Sequence, residues 1–167
     1  ASDAFKGCKS LTEIVITPNS NANFEFGKVF DSCPISTITT SGENAAYTVL
    51  ENVIYNKDIT AFIFFPYGYN GPYTLPSTIT TISNGAFKGT KITSVTIPGT
   101  VTSIGSSAFA DCGLLTAVNF LEGTENMTIG ASAFDGCAKL VEIKPGDDLN
   151  AKIREAYPEA KVIASNL

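Results

Sequence analysis

The chain has 167 residues, 44% of them hydrophobic and 16% charged, enough apolar material to bury a core of its own and too much for a disordered chain. Eleven Lys and Arg against 16 Asp and Glu give a formal charge of -5, which argues against a partner read through its phosphates, because that needs clustered cations. There is no His, so the usual general base near neutral pH, the commonest zinc ligand and the Ser-His-Asp triad are all excluded.

Taken in chain order, one pattern recurs. Ala4-Phe5-Lys6-Gly7-Cys8, Val29-Phe30-Asp31-Ser32-Cys33, Ala86-Phe87-Lys88-Gly89-Thr90, Ala108-Phe109-Ala110-Asp111-Cys112 and Ala133-Phe134-Asp135-Gly136-Cys137 are five versions of it. The Phe residues lie 25, 57, 22 and 25 positions apart, so the long gap has room for one enlarged unit and the chain holds about six. After each core comes an L-x-x-I-x-I phrase, as in Leu11 to Ile16, Ile92 to Ile97 and Leu115 to Phe120. Its alternation is the period of a strand with one buried face. A second short phrase precedes the core at Ile79 to Ser83 and Val101 to Gly105. Pro18, Pro76 and Pro98 stand between the phrases, where they end strands without removing an interior donor.

Units this small bury their apolar side chains only by stacking on one another. The expected fold is therefore a β-rich α/β solenoid in which each unit is strand, turn, strand and short helical turn. Phe5, Phe30, Phe87, Phe109 and Phe134 are expected to form one internal ladder, with the L-x-x-I-x-I strands in a parallel sheet on one side. The longest apolar run, Ala61 to Phe65, falls far short of the ~20 residues of a membrane helix, and the chain opens with no charged-then-apolar leader pattern.

These phrases resemble the BspA-type leucine-rich repeat, I-P-x-x-V-T-x-I-G-x-x-A-F-x-x-C-x-x-L-T-x-V-x-I, which the stretch from Ile97 to Phe120 fits almost letter for letter. The resemblance covers residues 1 to about 145 and implies a right-handed superhelix of short parallel strands. Residues 42–76 are similar to the hairpin-containing unit of that family, with Leu50 to Asp58 followed by Thr60 to Pro66. The second unit departs from the pattern, since Gly27-Lys28-Val29-Phe30 is one residue short of Gly105-Ser106-Ser107-Ala108-Phe109. The resemblance further implies a bacterial protein displayed on or released from host-associated cells, adhering in some members to host matrix proteins or other cells.

Ala1 aligns with the middle of a unit, so upstream repeats are expected and the single domain, 1–167, reads as a fragment. Residues 146–167 are expected to close the stack: Asp147 to Tyr157 places Leu149, Ile153 and Ala156 on one face of a capping helix that Pro158 ends. Cys8, Cys33, Cys112 and Cys137 each stand three residues after a ladder Phe, a place that Thr90 fills in another copy. Side chains repeating in register point in parallel, whereas a bridge needs facing Cβ atoms, so buried free thiols are expected and no disulfide. No C-x-x-C spacing marks a metal site, and no cofactor is called for.

The irregular unit carries the one distinctive surface signal. Aligning Phe65-Pro66 with Ile97-Pro98 turns Ile63 and Phe65 inward and Phe62 and Phe64 outward, with Tyr67, Tyr69 and Tyr73 close behind. Outward aromatics on a rigid sheet are a candidate binding patch; the alternative is that these rings cover the hairpin's second layer. Elsewhere the outward sheet positions, Thr39, Thr96 and Asn119 among them, are small and polar. The functional reading is a non-catalytic surface or secreted module that binds a protein, or a glycan, through a solenoid face. The alternatives are a structural spacer with no ligand and an enzyme built on Asp147 and Asp148, or on Glu51 and Asp58; acids in a cap and at a hairpin tip ordinarily just solvate.

Overall fold

The computed structural model describes residues 4–20, 24–124 and 126–140, and the backbone of 142–144; the expected cap at 146–167 lies outside the described residues. In chain order the elements are β1 (Glu13–Ile16), α1 (Phe26–Val29), β2 (Thr37–Thr40), β3 (Tyr47–Leu50), β4 (Val53–Asn56), β5 (Ala61–Phe64), β6 (Asn70–Thr74), β7 (Thr81–Ile82), β8 (Lys91–Ile97), β9 (Ser103–Ile104), β10 (Ala117–Phe120), β11 (Thr128–Ile129) and β12 (Glu142–Lys144). They build a strand-rich solenoid. The L-x-x-I-x-I phrases pair as β12-β10-β8-β6, all parallel, and the shorter phrases as β11-β9-β7-β5, also parallel and continued antiparallel through β4 and β3. The first two L-x-x-I-x-I strands, β1 and β2, form a parallel pair of their own, so the sheet expected along one side comes in two pieces.

The rings between the sheets stack in two runs rather than the one ladder expected, because Phe30 packs on Phe64 and not on Phe65. Phe87 and Phe109 lie 4.8 Å apart at 12°, Phe109 and Phe134 5.1 Å apart at 6°, and Phe5 and Phe30 5.6 Å apart at 17°. The enlarged unit supplies the missing rung. Phe65 N–H donates to Ala86 O just as Phe87 N–H donates to Ala108 O and Phe109 N–H to Ala133 O, which makes Phe65 the ladder position of the third unit, 22 residues before Phe87.

The helical turns expected at the cores are hydrogen-bonded turns instead, and α1 is the only helix among the described residues. Backbone conformation gives the reason. The position two after each ladder Phe is left-handed at Gly7, Ser32, Gly89, Asp111 and Gly136, and the position two before it is left-handed at Gly85, Ser107 and Ser132. Two such residues bracket only three others, too few for a helical turn to propagate. The second unit lacks the leading left-handed residue, and there the chain completes the single turn of α1 before Ser32 stops it.

Anchoring the third unit on Leu75-Pro76 also corrects β5. Leu75 N–H donates to Thr96 O, which sets Leu75 opposite Ile97, while Phe62 registers with Ile82 in the other sheet. Phe62 and Phe64 therefore point inward, 0% and 2% exposed, and Ile63 points out. Phe62 and Phe65 are three residues apart, where Ile82 and Phe87 or Ile104 and Phe109 are five. This shortened turn leaves room for α1 to reach the fourth unit: a Cβ on Gly27 would stand 2.5 Å from Gly85 O.

The insertion is a three-stranded meander. Beyond the expected β4–β5 hairpin, β3 pairs with β4 through a two-residue turn at Glu51 and Asn52, both at positive φ, the geometry that matches strand twist. Side-chain amides hold it in place. Asn52 accepts from Ile38 N–H and donates to Ser36 O, occupying the open edge of β2 as a neighbouring strand would. Asn56 accepts from the Thr60 and Ala61 N–H groups, closing the β4–β5 loop.

The buried residues fall into two clusters, one around Ile14, Phe26, Phe30, Ile38, Tyr47 and Phe64, the other running from Phe62 and Phe65 to Phe134. An ion-pair column crosses between them. Asp31, one residue after Phe30, meets Lys88 at 3.0 Å and Lys6 at 3.2 Å, each one residue after its own ladder Phe. Burial raises the Asp31 pKa, but the two ammonium groups outweigh it and hold the carboxyl below its ordinary value. A depressed folded pKa means the pair contributes above the unfolded value of about 3.9 and is lost as pH falls through the folded one. We expect Asp31→Asn to cost about 2 kcal/mol at pH 7, with the difference from the parent shrinking below about pH 4; urea denaturation at both pH values checks this.

Candidate functional site

One ordered surface is the outward side of β6-β8-β10-β12. Val95 and Val118 are fully buried beneath it, so their neighbours on either side face out. The register aligns these as two rows, Pro72-Ser94-Ala117 and Thr74-Thr96-Asn119, and the backbone of β12 continues the pairing beyond β10. Thr96 and Asn119 are thus brought together, half-buried, whereas Thr39 is exposed on the separate β1–β2 pair beside Val15. No single surface joins all three.

The aromatic group does not form the outward patch. Phe62 stacks on Phe87 at 4.5 Å, and Phe64 packs against Phe26 and Phe30. Tyr73 sits opposite Val95, 4.6 Å from Phe65, and its hydroxyl lies 3.1 Å from that of Tyr55. Burial raises the Tyr73 phenol pKa, and the Tyr55 hydroxyl raises it further. Tyr67 is pushed up to about 12 by burial. Tyr69 is 38% exposed but folds back, its hydroxyl bonded to Pro72 O and its ring 5.1 Å from Phe65. Phe62 and Phe64 are thus part of the two core clusters, Tyr67 and Tyr73 are half-buried against them, and Tyr69 is the most exposed of the group.

The cysteines form a column of thiols. Cys33, Cys112 and Cys137 each donate to the carbonyl of the preceding unit's ladder residue, Phe5 at 2.7 Å, Phe87 at 3.0 Å and Phe109 at 3.0 Å. All four are free; Cys33 and Cys112 are buried, Cys137 is half-buried and Cys8, expected inside, is exposed in the first coil. Threonine does similar work on the shorter-strand sheet. The hydroxyls of Thr80 and Thr102 donate to Thr60 O and Thr80 O, both at 3.2 Å.

The acidic pairs do not converge. Glu51 lies in the β3–β4 turn and Asp58 in the β4–β5 loop, at opposite ends of β4; Asp147 and Asp148 lie outside the described residues. Among the described residues no group of three Cys, Asp or Glu is placed to hold a metal ion, and no helix is long and apolar enough to cross a membrane.

Two grooves flank α1, where the shortened turn lets it meet the fourth unit. One, of about 580 Å³, runs between Phe24 and Glu25 on one side and Ile63, Ser83, Asn84 and Ser103 on the other. The other, of about 330 Å³, contains Lys6, Lys28 and Lys88, but each lysine is paired with Asp31 or Glu25. Neither groove is visible in the sequence, because the first joins residues from units two to five and the second residues from units one, two, four and five.

No curated protein matches the chain. Among solved structures, the pneumococcal vaccine antigen PcpA superposes with a TM-score of 0.70 at 16% identity, over 85% of this chain and 40% of that one. A leucine-rich cell surface protein from Faecalibacterium prausnitzii gives 0.61 at 23% identity, over 95% and 49%, and a leucine-rich repeat protein from Eubacterium ventriosum gives 0.57 at 23%, over 83% and 44%. The chain thus spans less than half the length of each of these, and the likeness is one of fold. The family described as BspA type leucine rich repeat region matches in 6 copies, over residues 1–70 and 57–157, in agreement with the six ladder positions, and the chain belongs to that family.

Proposed function

We propose that the chain is a non-catalytic recognition module of a secreted or surface-displayed protein, presenting the outward side of β6-β8-β10-β12 to a protein partner. The observation that carries this reading is the paired rows themselves. Thr74, Thr96 and Asn119 stand in register, the last two on strands anchored by the fully buried Val95 and Val118, so polar groups are held in place with little motion left to lose on binding. The family membership and the cell-surface description of one structural relative support a location outside the cell. Adhesion to a matrix protein or to another cell is the activity this arrangement suits.

A spacer without a ligand is the second reading, favoured by the absence of an exposed large aromatic from those rows. One experiment separates the two. The chain, immobilised, is presented with a panel of matrix proteins and with intact cells, beside a Thr96→Lys/Asn119→Lys double variant. Recognition through this face predicts saturable binding that the double variant weakens by about tenfold or more; no binding by either form supports the spacer.

A further inference from the structure

We infer that the groove of about 580 Å³ beside α1 is a binding site for a neutral oligosaccharide, separate from the sheet face proposed above. Its volume lies within the range of sites that enclose small ligands. Its two walls differ in chemistry. On one side stands the Phe24 ring, 39% exposed although it packs edge-on to Phe26 at 4.8 Å. On the other, the outward positions of β7 and β9 and the residues after β7 supply hydroxyls and an amide from Thr81, Ser83, Asn84 and Ser103.

Those polar groups have capacity to spare. Among the described residues the hydroxyls of Thr81, Ser83 and Ser103 make no hydrogen bond to protein, and Asn84 commits only its Oδ1, to Ser106 N–H at 2.8 Å. Elsewhere on the same sheet Thr80 and Thr102 donate to the coil before them, so the unengaged hydroxyls are confined to the groove side of the strands. The one charged lining residue is Glu25. Its carboxylate is already paired with Lys28 at 3.6 Å, and no lysine or arginine lines the groove to hold a phosphate, sulfate or acidic sugar, so a neutral ligand fits it better.

A pyranose ring has one face of C–H groups and a rim of hydroxyls. It would lay the first on Phe24 and direct the second to the serines and Asn84 of the opposite wall. An apolar peptide side chain would leave the hydroxyl wall unpaired, a penalty that disfavours it. The groove lies where the third unit's turn is two residues short and α1 comes close to the fourth unit, a Cβ on Gly27 standing 2.5 Å from Gly85 O.

The test is ligand-observed NMR and calorimetry on the purified chain against trisaccharides of glucose, galactose, mannose and N-acetylglucosamine, with sialylated and sulfated counterparts as negative arms. The expected result is saturable binding of at least one neutral member, reduced about tenfold or more by Phe24→Ala and abolished by Ser103→Arg. Ser103→Arg fills the groove from the outward face of β9 and leaves the core intact, so it keeps the test valid should Phe24→Ala unfold the first coils. The Thr96→Lys/Asn119→Lys variant should bind the sugar as the parent does, which keeps this site's failure distinct from that of the sheet face. Absence of saturable binding across the neutral panel, preference for the acidic arms, or binding indifferent to Ser103→Arg would overturn the assignment.

Discussion

Replacing Phe87 with Ala is expected to remove about 3–5 kcal/mol of stability, a large share of the 5–15 kcal/mol that keeps a domain folded. The ring is 0% exposed, stacked on Phe62 at 4.5 Å and on Phe109 at 4.8 Å, with Phe65 at 4.9 Å. Truncation loses the transfer free energy of the ring, opens a cavity that the fixed strand spacing keeps from collapsing, and cancels ring contacts of about 0.5–1.5 kcal/mol each. Phe5, at the same repeat position but 45% exposed, should tolerate the same change at a cost of about 1 kcal/mol. Urea denaturation of the two variants decides it; equal losses would mean that the rings do not act as a continuous stack.

The second large effect is at Asn44, which carries no apolar surface worth burying yet is 3% exposed. Its amide nitrogen donates to Thr17 O at 2.6 Å and Ser20 O at 3.2 Å, and its oxygen accepts from Ala46 N–H at 2.7 Å and Tyr47 N–H at 2.9 Å. One side chain thus ties the end of the first coil to the start of the meander. Asn44→Ala is expected to cost about 3 kcal/mol, because backbone groups lose their partner without regaining water. The loss should be local. Hydrogen exchange should quicken at residues 14–16 and 46–50, which belong to the first core cluster, while Val95 and Val118 in the second keep their protection.

The stacked architecture was legible because the period is written in residues with few substitutes. Phe recurs at the rung, and Gly7, Gly89 and Gly136 mark the left-handed position two residues later. The third unit was harder, since Phe64-Phe65-Pro66-Tyr67-Gly68 replaces the usual core and carries neither its small first residue nor its cysteine. A Phe-Pro and a Leu-Pro pair compete there as the alignment point, and Phe65-Pro66 in place of Leu75-Pro76 assigns β5 to the L-x-x-I-x-I sheet instead of the shorter-strand sheet, with every side chain on the wrong face. β3 had a usable signal in Tyr47 to Leu50 followed by Glu51-Asn52. The groove beside α1 had none: it depends on a deletion of two residues in one unit and on a helix contributed by another.

The break between β2 and β6 has a mechanical consequence. Load applied between the ends would meet unbroken backbone ladders within β6-β8-β10-β12, but at the β2 edge it would meet the Asn52 amide, the Tyr67 N–H bond to Ile35 O, the Lys88–Asp31 contact and the packing of Phe26 and Phe30 on Phe64. Scattered links give way singly where a ladder resists in concert. A molecule stretched between its ends would therefore shed its first two coils at low tension and lengthen, with the remaining coils still intact.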